Sequence, residues 1–380
     1  SALQSNTTAN NNSAFGKDAL KANTTGAQNV AVGTFALDAN TTASNNTALG
    51  YLSLSNNTTG SQNVGLGFEA LTSNTTAANN VGVGDRAGKA ITTGTQNTYV
   101  GASAGRSHTT ADNNTGIGYA ALLANTTGAE NTGIGTNSLD ANTTGQKNTA
   151  LGMHSLGSNT EGDQNTGIGR GALGSNTTAD NNTALGYFAL QANTTGYSNV
   201  AIGVNALDAN TEGFKNIAIG QDALGANTTS DENVAIGNLA GATMTTGGHN
   251  NVFIGNNAGQ SGAAPYQSVA VGRYALRNAS SQGTVALGYS AAQNLTTAGN
   301  WVAIGYEAAS TCTNQAGTGV AVGYRSQKHS TGNNNITVGG HCMEGANSTG
   351  SYNTAMGMQS LASHGTGGNN SMFGFQTGYD

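Results

Sequence analysis

The chain repeats itself every 17 residues almost from end to end. Its clearest unit is Asn199-Val200-Ala201-Ile202-Gly203, two variable residues, Ala206-Leu207, two more, then Asn210-Thr211 and a short polar stretch. Asn216-Ile217-Ala218-Ile219-Gly220 opens the next unit. Earlier units begin at Asn12, Asn29, Asn46, Asn63, Asn80, Asn97, Asn114, Asn131, Asn148, Asn165 and Asn182. A fixed short period specifies a solenoid whose coils contact only their neighbours, not a globular domain with a centre of its own. Residues 1–241 keep the period. Over 242–380 the same solenoid continues in degenerate form: several units are 16 or 18 residues long, as from Asn233 to Asn251, and the turns change to Ser261-Gly262-Ala263-Ala264-Pro265 and Thr311-Cys312-Thr313-Asn314.

With the Asn counted as position zero, position three is always apolar, from Phe15 and Val32 to Met356 and Phe373, and position four is always Gly. Position one is mostly Val, Ile or Thr, which favours a strand. Positions one and three then share a side, assigned to the coil interior together with Leu at position eight (Leu20, Leu37, Leu54). Position two, almost always Ala or Gly (Ala31, Ala48, Gly65), falls on the other side. A long stripe of small apolar residues there implies close packing against partner chains. The Gly marks a corner of positive φ. A short second strand is expected near Ala-Leu, and Asn-Thr-Thr-Gly forms a polar turn. The fold class is therefore all-β: a parallel β-solenoid of about 22 coils, roughly 100 Å long at a rise of about 4.8 Å per coil, with in-register Asn and Thr ladders.

Charge supports the phasing. Asp, Glu, Lys and Arg make up only 8% of the chain, and none stands at positions one to four, seven or eight, where an unpaired charge would be costly to bury. A net charge of −6 without clustered Lys and Arg excludes a nucleic-acid footprint and a polybasic membrane surface. No apolar run is long enough for a transmembrane helix. Cys312 and Cys342 lie at different phases of non-successive units, so no disulfide is expected between them.

Chemistry is sparse. The closest acids, Glu161 with Asp163 and Asp231 with Glu232, lie on polar turns without the second cluster that glycoside cleavage requires. The six His (His108, His154, His249, His329, His341 and His364) are scattered, and His341-Cys342 is the one adjacent pair of soft ligands, short of a zinc set. No catalytic residue, cofactor or metal is expected. Asn-Thr-Thr at Asn6, Asn23, Asn40, Asn57, Asn74, Asn125, Asn142, Asn176, Asn193 and Asn227 fits the N-glycosylation pattern, although a plain turn and ladder accounts for the same residues. Tyr289, Tyr306 and Tyr324 follow the invariant Gly in successive coils; they form a ligand strip for sugar rings or simply shield the corner.

The pentads at 199–203 and 233–237, each followed after two intervening residues by Ala, resemble the head repeats of YadA-like trimeric autotransporter adhesins and similar repeats in phage tail fibres. The resemblance covers nearly the whole chain. It implies a homotrimer of left-handed β-rolls that attaches a cell or virion to its target. The 17-residue period, with its added Asn-Thr-Thr-Gly turn, is longer than the typical adhesin head, and no heptad stalk or membrane anchor is present. The expected function is a non-enzymatic, extracellular, cell-surface or virion fibre shaft that mediates attachment. Its partners are copies of itself and a surface or matrix glycan or protein receptor, with no nucleic acid and no membrane span. The alternatives are a glycosylated extracellular filament of end-to-end solenoids and an ice-binding β-solenoid. Ice binding wants a regular Thr column, whereas position one changes from Val64 and Val81 to Thr98 and Thr115.

Overall fold

In a computed structural model of the chain, which describes all residues except 261–265, 279–281, 297–298, 313–316, 346–347, 364 and 379–380, the 17-residue unit folds as one coil of a parallel β-solenoid. The Ser261–Pro265 turn, Thr313-Asn314 and His364 lie outside the described residues. The described residues contain no helix. The chain divides into two compact units, 1–195 and 196–380. The first holds strands β1 (Ser13–Phe15) to β11 (Thr183–Leu185), and the second β12 (Val200–Ile202) to β22 (Ser371–Phe373). Within each unit every strand pairs in parallel with the next at equal phase, as Val64, Gly65 and Leu66 pair with Val81, Gly82 and Val83. Units of 16 or 18 residues keep this register: Val252 still pairs with Val234, and Val285 with Val269. The length changes are absorbed in the turns.

Backbone groups are satisfied between coils. The N–H of Val30 donates to the carbonyl of Asn46 in the following coil (2.9 Å), and that of Gly33 to Phe15 in the preceding one (2.8 Å). The corner is as expected. Gly33 has φ +134, and a Cβ there would sit 2.5 Å from the carbonyl oxygen of Gly50, so geometry and neighbour both exclude a side chain.

The sides of the strand are the reverse of the expectation. Position two is the interior: Ala31, Ala48, Ala150, Ala201 and Ala218 are fully buried. Positions one and three point outward, with Leu49 46% and Ile117 38% exposed. The reason is width. A coil this narrow seats Leu at position eight directly across from position two, so a Cβ added to Gly82 would lie 2.8 Å from Leu71 Cγ. Val or Ile has no room there. The Ala/Gly stripe is therefore core, not a partner face, and the core column is Leu at position eight with Ala at positions two and seven. The expected second strand is also absent among the described residues. Residues after the corner form two four-residue turns, closed by Ala19 N–H to Gly16 O (3.4 Å) and Asn23 N–H to Leu20 O (3.3 Å). Leu20 has φ +48 and Asp18 φ +55, left-handed conformations that no strand contains.

Asn at positions zero and eleven builds two buried columns. The Asn29 amide nitrogen donates to the Ala43 carbonyl (2.9 Å) and Asn40 Nδ2 donates to the same oxygen (3.1 Å). Up the stack, Asn40 Nδ2 also donates to Asn23 Oδ1 (2.8 Å), and the Asn29 N–H to Asn12 Oδ1 (2.8 Å). Thr at position twelve adds an outer rung, Thr24 Oγ1 donating to Thr41 O (3.0 Å).

Large residues enter the core only by exchange. Tyr99 and Phe253 stand at position two, fully buried. Position eight is Gly in their own coils and in the preceding ones: a Cβ on Gly105 would lie 2.3 Å from Tyr99 Cε1, one on Gly259 2.7 Å from Phe253, and one on Gly241 3.1 Å from it. Trp301 replaces the Asn of position zero, donates its indole N–H to Gly317 O (2.9 Å), and fills the space left by Gly319.

This exchange is testable. Ala218→Phe is expected to destabilise the chain by roughly 1–3 kcal/mol through overpacking. Adding Leu207→Gly and Leu224→Gly should recover most of that loss, because it recreates the surroundings of Phe253. Thermal unfolding of the single and triple variants measures both effects.

Candidate interaction surfaces

Three outer surfaces follow from the coil: the strand face, the corner after the Gly, and the polar turn. On the strand face, positions one and three present two columns of Val, Ile, Leu and Thr, with no charged residue at either position in any unit. From Thr98 to Thr183, position one is Thr in six consecutive coils.

The corner carries aromatic stacks. Tyr289 and Tyr306 lie with ring centroids 5.0 Å apart and planes at 13°, and Tyr306 and Tyr324 at 5.3 Å and 12°. Tyr274 meets Tyr289 edge-on at 5.9 Å, and His341 meets Tyr324 edge-on at 5.0 Å. The guanidiniums of Arg273 and Arg277 lie 4.5 and 5.0 Å from the Tyr274 ring centre, and that of Arg325 5.1 Å from Tyr324. Beside the stack, Glu307 accepts from Arg325 (2.9 Å) and Lys328 (2.7 Å), which hold its carboxyl below the usual range. The three predicted tyrosines thus do come together, 38–45% exposed. Their faces are covered by one another, so edges and hydroxyls meet solvent, not the open ring face on which a sugar stacks. In the first unit, Phe35, Tyr51 and Phe68 form a similar row at 6.4 and 5.6 Å, with Glu69, Arg86 and Lys89 beside it.

The Asn of the Asn-Thr-Thr pattern lies inside the coil and not on its surface. Asn23, Asn40, Asn57, Asn74, Asn125, Asn142, Asn176, Asn193 and Asn227 are fully buried as the position-eleven column, and Asn6 is half-buried. An amide nitrogen such as Asn142 Nδ2, bonded to Asn125 Oδ1 (2.9 Å) and Gly145 O (3.0 Å), faces inward.

The acids of the turns have structural work. Asp163 Oδ1 accepts the Gln146 N–H (2.7 Å) and Asp231 Oδ1 the Phe214 N–H (2.9 Å), each capping an amide of the preceding coil. Glu232 pairs with Lys215 at 3.4 Å. A surface hollow of about 370 Å³ opens beside Gly157, Gly171 and Gly174, lined also by Asp140, His154, Arg170 and Phe188. Burial raises the Asp140 carboxyl. It is the one carboxylate in that lining, where glycoside cleavage would need two. Among the described residues no three His, Cys, Asp or Glu side chains gather as metal ligands. Cys312 and Cys342 are both free and buried; burial pushes the Cys312 thiol up to about 12.

One titratable cluster was not anticipated. His108 stands at position eleven in place of Asn. Its Nε2 lies 2.7 Å from the Ala111 carbonyl, while Nδ1 lies 3.0 Å from Tyr99 Oη and 3.1 Å from Asn125 Nδ2. The carbonyl demands N–H at Nε2, so Nδ1 accepts from Tyr99 and Asn125. Its signal in the sequence was the Tyr99–Gly105 exchange together with a break in the Asn column. Burial lowers the pKa of His108 and outweighs Asp112 nearby; burial raises that of the Tyr99 phenol.

The unfolded chain therefore takes up the His108 proton more readily than the folded one. The stabilising contribution is intact above the ordinary His pKa of about 6.5 and is lost as pH falls from there toward the lowered folded value. The melting temperature is expected to drop between about pH 7 and 5, and His108→Asn should flatten that drop. Melting curves across the range check it.

No helix among the described residues is long and apolar enough to cross a membrane. Comparison of the chain with protein families and with curated proteins finds no match in either.

Proposed function

We propose that the chain is a non-enzymatic segment of an extracellular, cell-surface or virion-borne attachment fibre, built by packing the strand faces of identical chains, three in number as the adhesin-like repeats imply. The observation that carries this reading is the outward strand face, uncharged in every unit, with its position-three column apolar from coil to coil within each unit. An apolar patch of that extent marks an interaction site more often than a solvated surface. The same register also makes the face complementary to itself: a second copy presents equal side chains at the same pitch. The charge-poor interior and turns, with acids used as amide caps, support a load-bearing role and not catalysis. The solvent-facing edges and hydroxyls of the corner aromatics are the site for a glycan or protein receptor, bound by hydrogen bonds and not by ring stacking.

A second reading has a specific observation of its own. Six successive Thr on one outward strand column, Thr98 to Thr183, half-exposed or exposed, form the regular rank that an ice-binding solenoid uses. The adjoining column is Val, Ile and Leu, so only one rank is polar.

Native light scattering is expected to give particles of three chains. Ile217→Glu with Ile219→Glu should reduce them to single chains with unchanged circular dichroism, while Gln221→Glu at the corner leaves the mass alone. A wild-type particle of one chain would sink the fibre reading. Thermal hysteresis that disappears in Thr132→Leu with Thr149→Leu would put ice binding in its place.

A further inference from the structure

We infer that Tyr289, Tyr306 and Tyr324 form a site of oxidative tyrosine–tyrosine coupling, which bolts successive coils of the second unit together covalently. The stack places near-parallel phenols 5.0 and 5.3 Å apart at matching phases of adjacent coils, with their edges in solvent. Phenol coupling joins ring carbons ortho to the hydroxyl. Two such radicals recombine only when held side by side, and the coil repeat supplies that proximity without any reorganisation of the backbone.

The chemistry balances with a one-electron oxidant of the haem-peroxidase class fed by hydrogen peroxide. Each phenol gives up one electron and its hydroxyl proton. The two radicals form one carbon–carbon bond between ortho carbons. The two displaced ring hydrogens move to the oxygens and restore both phenols. The pair loses two hydrogens in total, and hydrogen peroxide accepts them to become two waters.

The surroundings choose among the partners. Arg273 and Arg277 lie over Tyr274, and Arg325 over Tyr324. A guanidinium over a ring opposes removal of an electron from it, as it favours the electron-rich face. Tyr289 and Tyr306 carry no such cation among the ring contacts of this stack, so the Tyr289–Tyr306 link is the major product and Tyr306–Tyr324 the minor one. The first unit supplies an internal control: its Tyr51–Phe68 pair has the stacking and exposure but a single phenol.

The test treats dilute intact chain with a haem peroxidase and hydrogen peroxide, then maps cross-linked peptides by mass spectrometry. The expected result is blue dityrosine fluorescence, single-chain mobility on a denaturing gel, and a Tyr289–Tyr306 peptide pair two hydrogens lighter than its sum. Tyr306→Phe, which keeps the stack, should remove nearly all intrachain product. Tyr324→Phe should leave most of it. Fluorescence undiminished in Tyr306→Phe, or links confined to exposed tyrosines outside the stack such as Tyr119 and Tyr352, would overturn the assignment.

Discussion

The carbonyl at position fourteen holds the coil closed. In each regular unit one backbone oxygen receives two side-chain amides, from the Asn at position zero and the Asn at position eleven, as Gly60 O does from Asn46 (3.0 Å) and Asn57 (2.9 Å). Those Asn lie on opposite sides of the corner and the Leu turns, so their convergence ties strand, turns and polar segment into one ring. Their Oδ1 atoms then carry the bonding to the neighbouring coils. Buried polar groups are costly unless fully satisfied, and here the repeat satisfies them along the stack. Where the column is interrupted, the consequence is visible. Ile91 offers no donor, and Asn74 Oδ1 is left buried without a partner. One coil later His108 restores the pattern, since its Nε2 meets the same carbonyl position, Ala111 O, that Asn97 Nδ2 reaches at 3.0 Å.

With Asn occupying the interior, little apolar volume remains, and this decides which way the strand faces. Leu at position eight and Ala at positions two and seven fill the coil. Val and Ile, the residues that best suit a pleated strand, are displaced to the outside. A chain so arranged stabilises its coils with hydrogen bonds and small side chains, and carries the Val and Ile of its strands on the outer face.

The period, the parallel register, the glycine corner and the burial of Leu20 and its equivalents were legible in the sequence, because each depends on residue type at a fixed phase. The side on which position two lies was not. Hydrophobicity alone assigns Val and Ile to the core, and that rule assumes an interior wide enough to take them. The information was nevertheless present as a covariation within the chain. Position two holds a residue much larger than Ala at Tyr99, Phe253 and Met372, and in each of those coils position eight is Gly: Gly105, Gly259 and Gly378; the smaller Thr337 is accommodated beside Met343. Residues that trade volume share a cavity, so positions two and eight share the interior. The glycosylation pattern misled for a related reason. Asn-Thr-Thr is a turn motif at the level of local sequence, but the Asn turns inward once neighbouring coils offer its amide an acceptor.

The corner shows how a repeat acquires differences without losing its fold. Position five lies outside the core, so any residue there is tolerated singly. Once aromatic residues occupy it in successive coils, the coil spacing forces them into a stack. Both units then place Glu and Arg at position six of successive coils and Lys at position nine beside the stack: Glu69, Arg86 and Lys89 in the first, Glu307, Arg325 and Lys328 in the second. Partly exposed pairs of this kind contribute little stability individually. Their recurrence in equal geometry beside an aromatic row makes the two charged triplets parts of equivalent corner surfaces. The strand face is uncharged throughout, whereas the corner varies from coil to coil and gives the chain surfaces that distinguish one stretch from another.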